Sequence, residues 1–174
     1  MSMPINGKDF FVNDFYKRTL CILRDGHEKY EFTLIINLMV GLLIIPKEKY
    51  FENKTIPDSF VSKKTLDKVR NCITKNFIDG EVNSNDSLKE IIRHLRNAVA
   101  HGGLEIFGKD AYLKYDDNRI ESITFKDNGR FNSEKYNRKI NIEFEINLSY
   151  DLLESFLIEF ATNICDQIES KEEN

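Results

Sequence analysis

Arg93, His94, Arg96, Asn97 and His101 fall within nine consecutive residues, Arg93-His94-Leu95-Arg96-Asn97-Ala98-Val99-Ala100-His101. Their types suit phosphodiester chemistry. Arginine stays charged at any working pH and offers a planar, two-pronged set of N–H donors to a phosphate, so Arg96 could clamp the group and hold the charge that builds in a transition state. Histidine titrates near neutrality, so His101 could take a proton from a ribose 2′-OH or return one to a leaving 5′-oxygen. Asn97 could fix either group by hydrogen bonds, and Arg93 and His94 are candidate substrate contacts. A plainer role stays open for the same residues: cations in the last turn of a helix offset its dipole and cap its free carbonyls.

The element that must position these groups is a helix over residues 87–100. Ser87-Leu88-Lys89-Glu90 fits the capping box, in which the serine hydroxyl and glutamate carboxylate satisfy each other's free backbone N–H groups. Gly102-Gly103 supplies the stop. At about 100° per residue, Leu88, Ile91, Ile92, Leu95 and Val99 gather on one face and Asn97 centres the opposite one, flanked by Arg93 and His101. Arg96 and His101 lie about 140° apart around the axis, a poor site for one copy of the helix. Two copies facing each other across a groove could supply both an acid–base pair and a phosphate clamp, so a two-fold dimer is expected.

Around this helix the spacing predicts other elements. Apolar residues recur at helical intervals over residues 8–24, 28–45 and 62–77, with Gly26, Pro46 and Asp79-Gly80 as stops. In the second of these, Thr33, Asn37 and Gly41 form one small or polar stripe on an otherwise apolar cylinder. Farther on the period changes to two: Ile140, Ile142, Phe144, Ile146 and Leu148 alternate with polar residues, the pattern of a half-buried strand. Ile123 and Phe125 suggest a second strand and residues 111–115 a third, with Asp116-Asp117-Asn118 and Asp127-Asn128-Gly129 read as turns. A final helix over residues 149–168 carries Leu152, Leu153, Phe156, Ile158, Phe160 and Ile164. The expected architecture is a single domain over residues 1–174, a helical bundle with a small antiparallel sheet inserted at about residues 104–148, before the last helix.

The chain's 174 residues, 41% hydrophobic and 31% charged, are enough for one domain with its own core. A net charge of −4 excludes a broad basic surface, so any nucleic-acid contact must come from a local cluster of cations. Lys126, Arg130, Lys135, Arg138 and Lys139, interleaved with Phe131 and Tyr136, are a second such cluster or simply a charged hairpin. Cys21, Cys72 and Cys165 are odd in number and widely spaced, which reads as reduced thiols without a zinc site. The first eight residues lack the pattern of a signal peptide, and the apolar run at 32–45 is shorter than a membrane span needs, so a cytoplasmic protein is expected. His27 is read as a surface residue. No metalloprotease helix, paired CxxC, glycine-rich phosphate loop or nucleophile elbow occurs.

Arg96-Asn97-Ala98-Val99-Ala100-His101 resembles the R-x4-H motif of the HEPN superfamily, down to the polar residue after the arginine, and the flanking Leu95 and Gly102 are similar too. The resemblance implies a mainly α, up-and-down HEPN-like bundle whose dimer joins two motifs in a cleft. It further implies a metal-independent endoribonuclease of a toxin or anti-phage defence system, with Arg96, His101 and Asn97 as catalytic residues and Arg93 and His94 binding substrate. No cofactor and no metal are expected; the partners would be RNA, a second copy and an antitoxin or defence-system protein. Some members of the superfamily only bind or scaffold, so a non-catalytic module holding RNA, a nucleotide or a protein is the alternative. A helical antitoxin or immunity protein is a third. One departure stands out: the toxin branch paired with small nucleotidyltransferases carries a tyrosine two residues after the histidine, and here that position is Gly103.

Overall fold

The computed structural model describes Met39, Gly41 and residues 56–108, 120–133 and 138–172. The helix expected over residues 8–24, that expected over 28–45 apart from Met39 and Gly41, Thr33 and Asn37 of the small-residue stripe, the strand expected at 111–115, Cys21 and His27 lie outside that set. Helix α1 spans Lys63–Arg70, and the strands β1 (Ile73–Ile78) and β2 (Glu81–Val82) follow. Then come α2 (Leu88–His101), β3 (Leu104–Gly108), β4 (Ile120–Ser133), β5 (Arg138–Ser149) and α3 (Tyr150–Glu172).

The strands form one antiparallel five-stranded sheet in the order β2-β1-β5-β4-β3. This corrects the expected mainly α bundle: among the described residues 46% are helical and 38% are strand. Nor is the sheet a small insertion before the last helix, because β1 and β2 enter it ahead of α2.

The correction turns on residues 71–82. Ser62 caps α1 as an N-cap should, its hydroxyl accepting from the Thr65 N–H at 3.3 Å. The helix ends at Arg70, not Phe77, and the β-branched pair Ile73-Thr74 opens a strand that pairs with β5 through Ile73↔Ile146 and Ile78↔Ile142. Asp79-Gly80 is therefore a hairpin turn and not a helix stop. Both residues have positive φ, 53° and 83°, and Ile78 pairs with Glu81 across them. Two such residues are what a two-residue turn needs to match the twist of its strands. The backbone N–H of Asn141 donates to Asp79 Oδ1 at 2.7 Å and holds that carboxyl below its ordinary pKa.

β5 follows the expected alternation, with Ile140, Ile142, Phe144, Ile146 and Leu148 buried on one face. That face carries the core. α2 lies over β4, and α3 lies over β4 and β5 and against α1. Leu153, Phe156, Leu157, Phe160, Ala161 and Ile164 of α3 and Leu88, Ile91, Ile92, Leu95 and Ala98 of α2 fill it, together with Met39. α3 matches the expected last helix. Glu159 on α3 fastens α1, accepting from the Ser62 N–H at 2.7 Å and the Thr65 hydroxyl at 2.6 Å. Among the described residues no helix is long and apolar enough to cross a membrane. Cys72 is a free thiol whose pKa burial pushes up.

Candidate functional site

The motif helix forms where its spacing requires, but two of its details differ from the capping expectation. The Ser87 side chain makes no cap hydrogen bond. The first free N–H, that of Leu88, donates instead to Asp58 Oδ1 at 2.8 Å, a carboxylate thirty residues upstream. Glu90 turns to Arg93 at 2.8 Å. A carboxylate at a helix N-terminus satisfies an orphan donor and opposes the positive dipole end, so Asp58 caps the Leu88 N–H from a distance in place of the local box. Asp58 is itself held by Arg70 at 2.7 Å.

At the other end, Gly102 takes the left-handed conformation, φ 73°, expected of a helix C-cap. Gly103 is constrained by space. Its N–H donates to the Ala98 carbonyl at 2.8 Å, and its own carbonyl accepts from the Lys126 N–H at 2.7 Å. A Cβ built there would lie 2.0 Å from the Lys126 carbonyl oxygen. The end of α2 thus meets β4 backbone to backbone, directly beside Asp127. A tyrosine at position 103 has no room, which gives the departure from the tyrosine-bearing branch a steric basis.

Asp127 was read as part of a turn, and the structure corrects this. Asp127-Asn128-Gly129 runs inside β4, paired with Phe144, Glu143 and Ile142 of β5. Asp127 continues the inward series Ile123, Phe125, Asp127 and is only 3% exposed. Its Oδ2 lies 2.7 Å from His94 Nδ1 and 3.1 Å from Asn97 Nδ2. The one signal that could have found it is strand parity: positions 123, 125 and 127 share a face if the strand continues.

The five expected site residues separate into two groups. His94 is 1% exposed, stacked on Phe144 with ring centroids 4.0 Å apart and planes 6° from parallel. Its Nε2 lies 2.9 Å from Arg93 Nη2. Since a guanidinium only donates, Nε2 must be the accepting nitrogen, and Nδ1 carries the hydrogen given to Asp127. Arg93 is half-buried and shared between that ring and Glu90. Both of these residues are thereby engaged within the protein.

Arg96, Asn97 and His101 form the other group. Asn97 is half-buried; its carbonyl oxygen accepts from Arg96 Nη2 at 2.9 Å and from Nε at 3.3 Å. His101 closes the helix and is exposed. The face read as open and polar is therefore covered in part by β4: Arg96 is half-buried, and His101 is exposed. Of the second basic cluster, Lys126 donates to Glu105, which holds its ammonium above the ordinary value, and Arg138 pairs with Asp79 at 2.7 Å. Among the described residues no three His, Cys, Asp or Glu side chains gather in a way that could hold a metal ion.

The last two turns of α2 thus carry the Arg96 guanidinium, with its Nε and Nη2 on the Asn97 carbonyl, and the exposed His101 imidazole, and Asn97 is in turn held by the buried Asp127 carboxylate. Among known proteins, the family model described as HEPN pEK499 p136 matches residues 1–171. No curated protein and no solved structure matches the chain.

Proposed function

The chain belongs to the HEPN family, and from that premise we propose that it is a metal-independent endoribonuclease of a toxin or anti-phage defence system, acting as a dimer whose two motif helices line one cleft. The observation that carries this reading is the presence of Arg96, held by Asn97, and an exposed His101 in the last two turns of one helix. In the reaction His101 takes the proton of a ribose 2′-OH. The 2′-oxygen attacks the adjacent phosphorus, the bond from phosphorus to the 5′-oxygen breaks, and that oxygen leaves with a proton. One histidine from each copy meets both needs, with Arg96 on the phosphate oxygens. We assign His94 to bracing the helix against β4 through Asp127, and Arg93 to supporting His94 from within the helix, where Glu90 holds it.

The test is purified protein on total RNA in excess EDTA. Cleavage should persist and leave 2′,3′-cyclic phosphates, and a 2′-deoxyribose at the cut should block it. His101→Ala should cost about 10²–10⁴ in rate. Arg96→Lys should also fail substantially, because a point charge does not replace a planar fork. Expressed alone, the protein should arrest growth and the Arg96→Ala and His101→Ala variants should not; a binding module or immunity protein would be harmless in all forms. Cleavage lost in EDTA and restored by magnesium, or unaffected in His101→Ala, overturns the mechanism.

A further inference from the structure

Asp127 is a buried carboxylate that the chemistry above does not use. A carboxylate only accepts hydrogen bonds, whereas the asparagine amide donates from one end and accepts at the other. Facing Asp127, Asn97 must present its NH2 group, and at 3.1 Å it does. Its carbonyl is then turned toward Arg96, where it takes the Nε and Nη2 hydrogens. The opposite amide orientation would set a carbonyl against the carboxylate and an NH2 group against the guanidinium. Both are repulsive, and Asp127 is what makes the choice one-sided.

We infer that Asp127 is a positioning residue: by fixing which end of the Asn97 amide faces the guanidinium, it holds the Arg96 fork in one orientation. His94 completes the device. Its Nδ1–H occupies the same carboxylate oxygen, and its ring is pinned against Phe144, the residue paired with Asp127 across β4 and β5. His94 and Asn97 are one helical turn apart, so a single carboxylate from the sheet grips the motif helix at two successive levels. The close passage at Gly103 puts β4 near enough for this grip.

The kinetic part of this inference rests on the nuclease reading, so its test has one arm that does not. In that arm the Arg96 Nε–H signal is followed by nitrogen-15 NMR in the whole protein. It should be resolved and slow to exchange in the wild type, and shifted and faster to exchange in Asp127→Ala. An unchanged Arg96 signal in that variant overturns the inference. Should Asp127→Ala fail to fold, Asp127→Leu carries the same measurement, since a side chain of similar size with no polar atom offers Asn97 no acceptor.

The kinetic arm is a double-mutant cycle on RNA cleavage. Asp127→Ala and Asn97→Ala should each lower kcat by about 10–100-fold, the scale of a misplaced reacting group, and the double variant should be no worse than Asn97→Ala. Glu159→Gln, which loosens the hold of α3 on Ser62 and Thr65 at the start of α1, should lower thermal stability and leave kcat unchanged. Losses that multiply in the double variant, or a kcat that merely tracks stability across all the variants, overturn the positioning role. A wild type that cleaves no RNA while the NMR arm succeeds would sink the nuclease reading alone.

Discussion

Replacing Gly103 with alanine adds one methyl group at the point where the motif helix meets β4. That methyl would sit 2.0 Å from the Lys126 carbonyl oxygen and 3.1 Å from its carbon. Backbone must therefore retreat by about 1 Å to reach even the 3.0 Å that real Cβ atoms hardly undercut. Neither neighbour is a flexible side-chain end. The turn is held by the hydrogen bonds of Gly103 to Ala98 and from Lys126, at 2.8 and 2.7 Å. Overpacking of this kind costs about 1–3 kcal/mol, and losing one backbone hydrogen bond adds about 1 kcal/mol. The sum, roughly 2–4 kcal/mol, should lower Tm by about 5–15 °C for a chain of this size.

Gly102→Ala is the internal control. It has the left-handed φ of 73° but nothing within 4 Å of its Cβ, so its cost is the conformational penalty alone, about 1 kcal/mol. Thermal unfolding followed by circular dichroism ranks the two. The glycine with ordinary φ should matter more than the glycine with positive φ. Gly103→Ala melting with the wild type, or less perturbed than Gly102→Ala, would refute the close-approach reasoning. Because Asp127 follows Lys126 directly, Gly103→Ala should also impair RNA cleavage, which Gly102→Ala should do far less.

The capping assignment predicts that Asp58→Ala lowers stability by about 1–2 kcal/mol while Ser87→Ala is nearly neutral, measured by urea unfolding; the reverse order would restore the capping box. Glu159 predicts a pH dependence. Burial works against its ionisation, but the hydrogen bonds from Thr65 and Ser62 outweigh it and hold its pKa below the ordinary 4.5. A carboxylate with a lowered folded pKa contributes stability that is whole above 4.5 and is lost as pH falls through the lower folded value. Acid unfolding of Glu159→Gln should accordingly show less loss of stability below pH 4.5 than the wild type, and equal slopes would count against the assignment.

Local patterning was enough for several features. α2 ends where the glycines stand and buries Leu88, Ile91, Ile92 and Leu95, because a sustained 3.6-residue period with one apolar face has a single helical solution. Five alternating apolar residues specified β5 in the same way, and the long apolar stripe of α3 was equally plain. The arginine and histidine of the motif could be placed at one helix end from spacing alone.

What the tertiary structure decided were the contacts between segments distant in the chain. Residues 71–82 are short and mixed in pattern, so helix and strand compete locally, and pairing with β5 settles the matter. Asp127-Asn128-Gly129 has the composition of a turn, yet pairing with β5 from Ser122 to Ser133 carries the strand through it and turns Asp127 inward. Asp58 replaces the local cap, and Gly103 is required by a strand more than twenty residues later. The chemistry-bearing residues were therefore legible as types at a spacing. The buried carboxylate that meets His94 and Asn97 was not, because it reaches the helix only through strand register, which no local window of sequence contains.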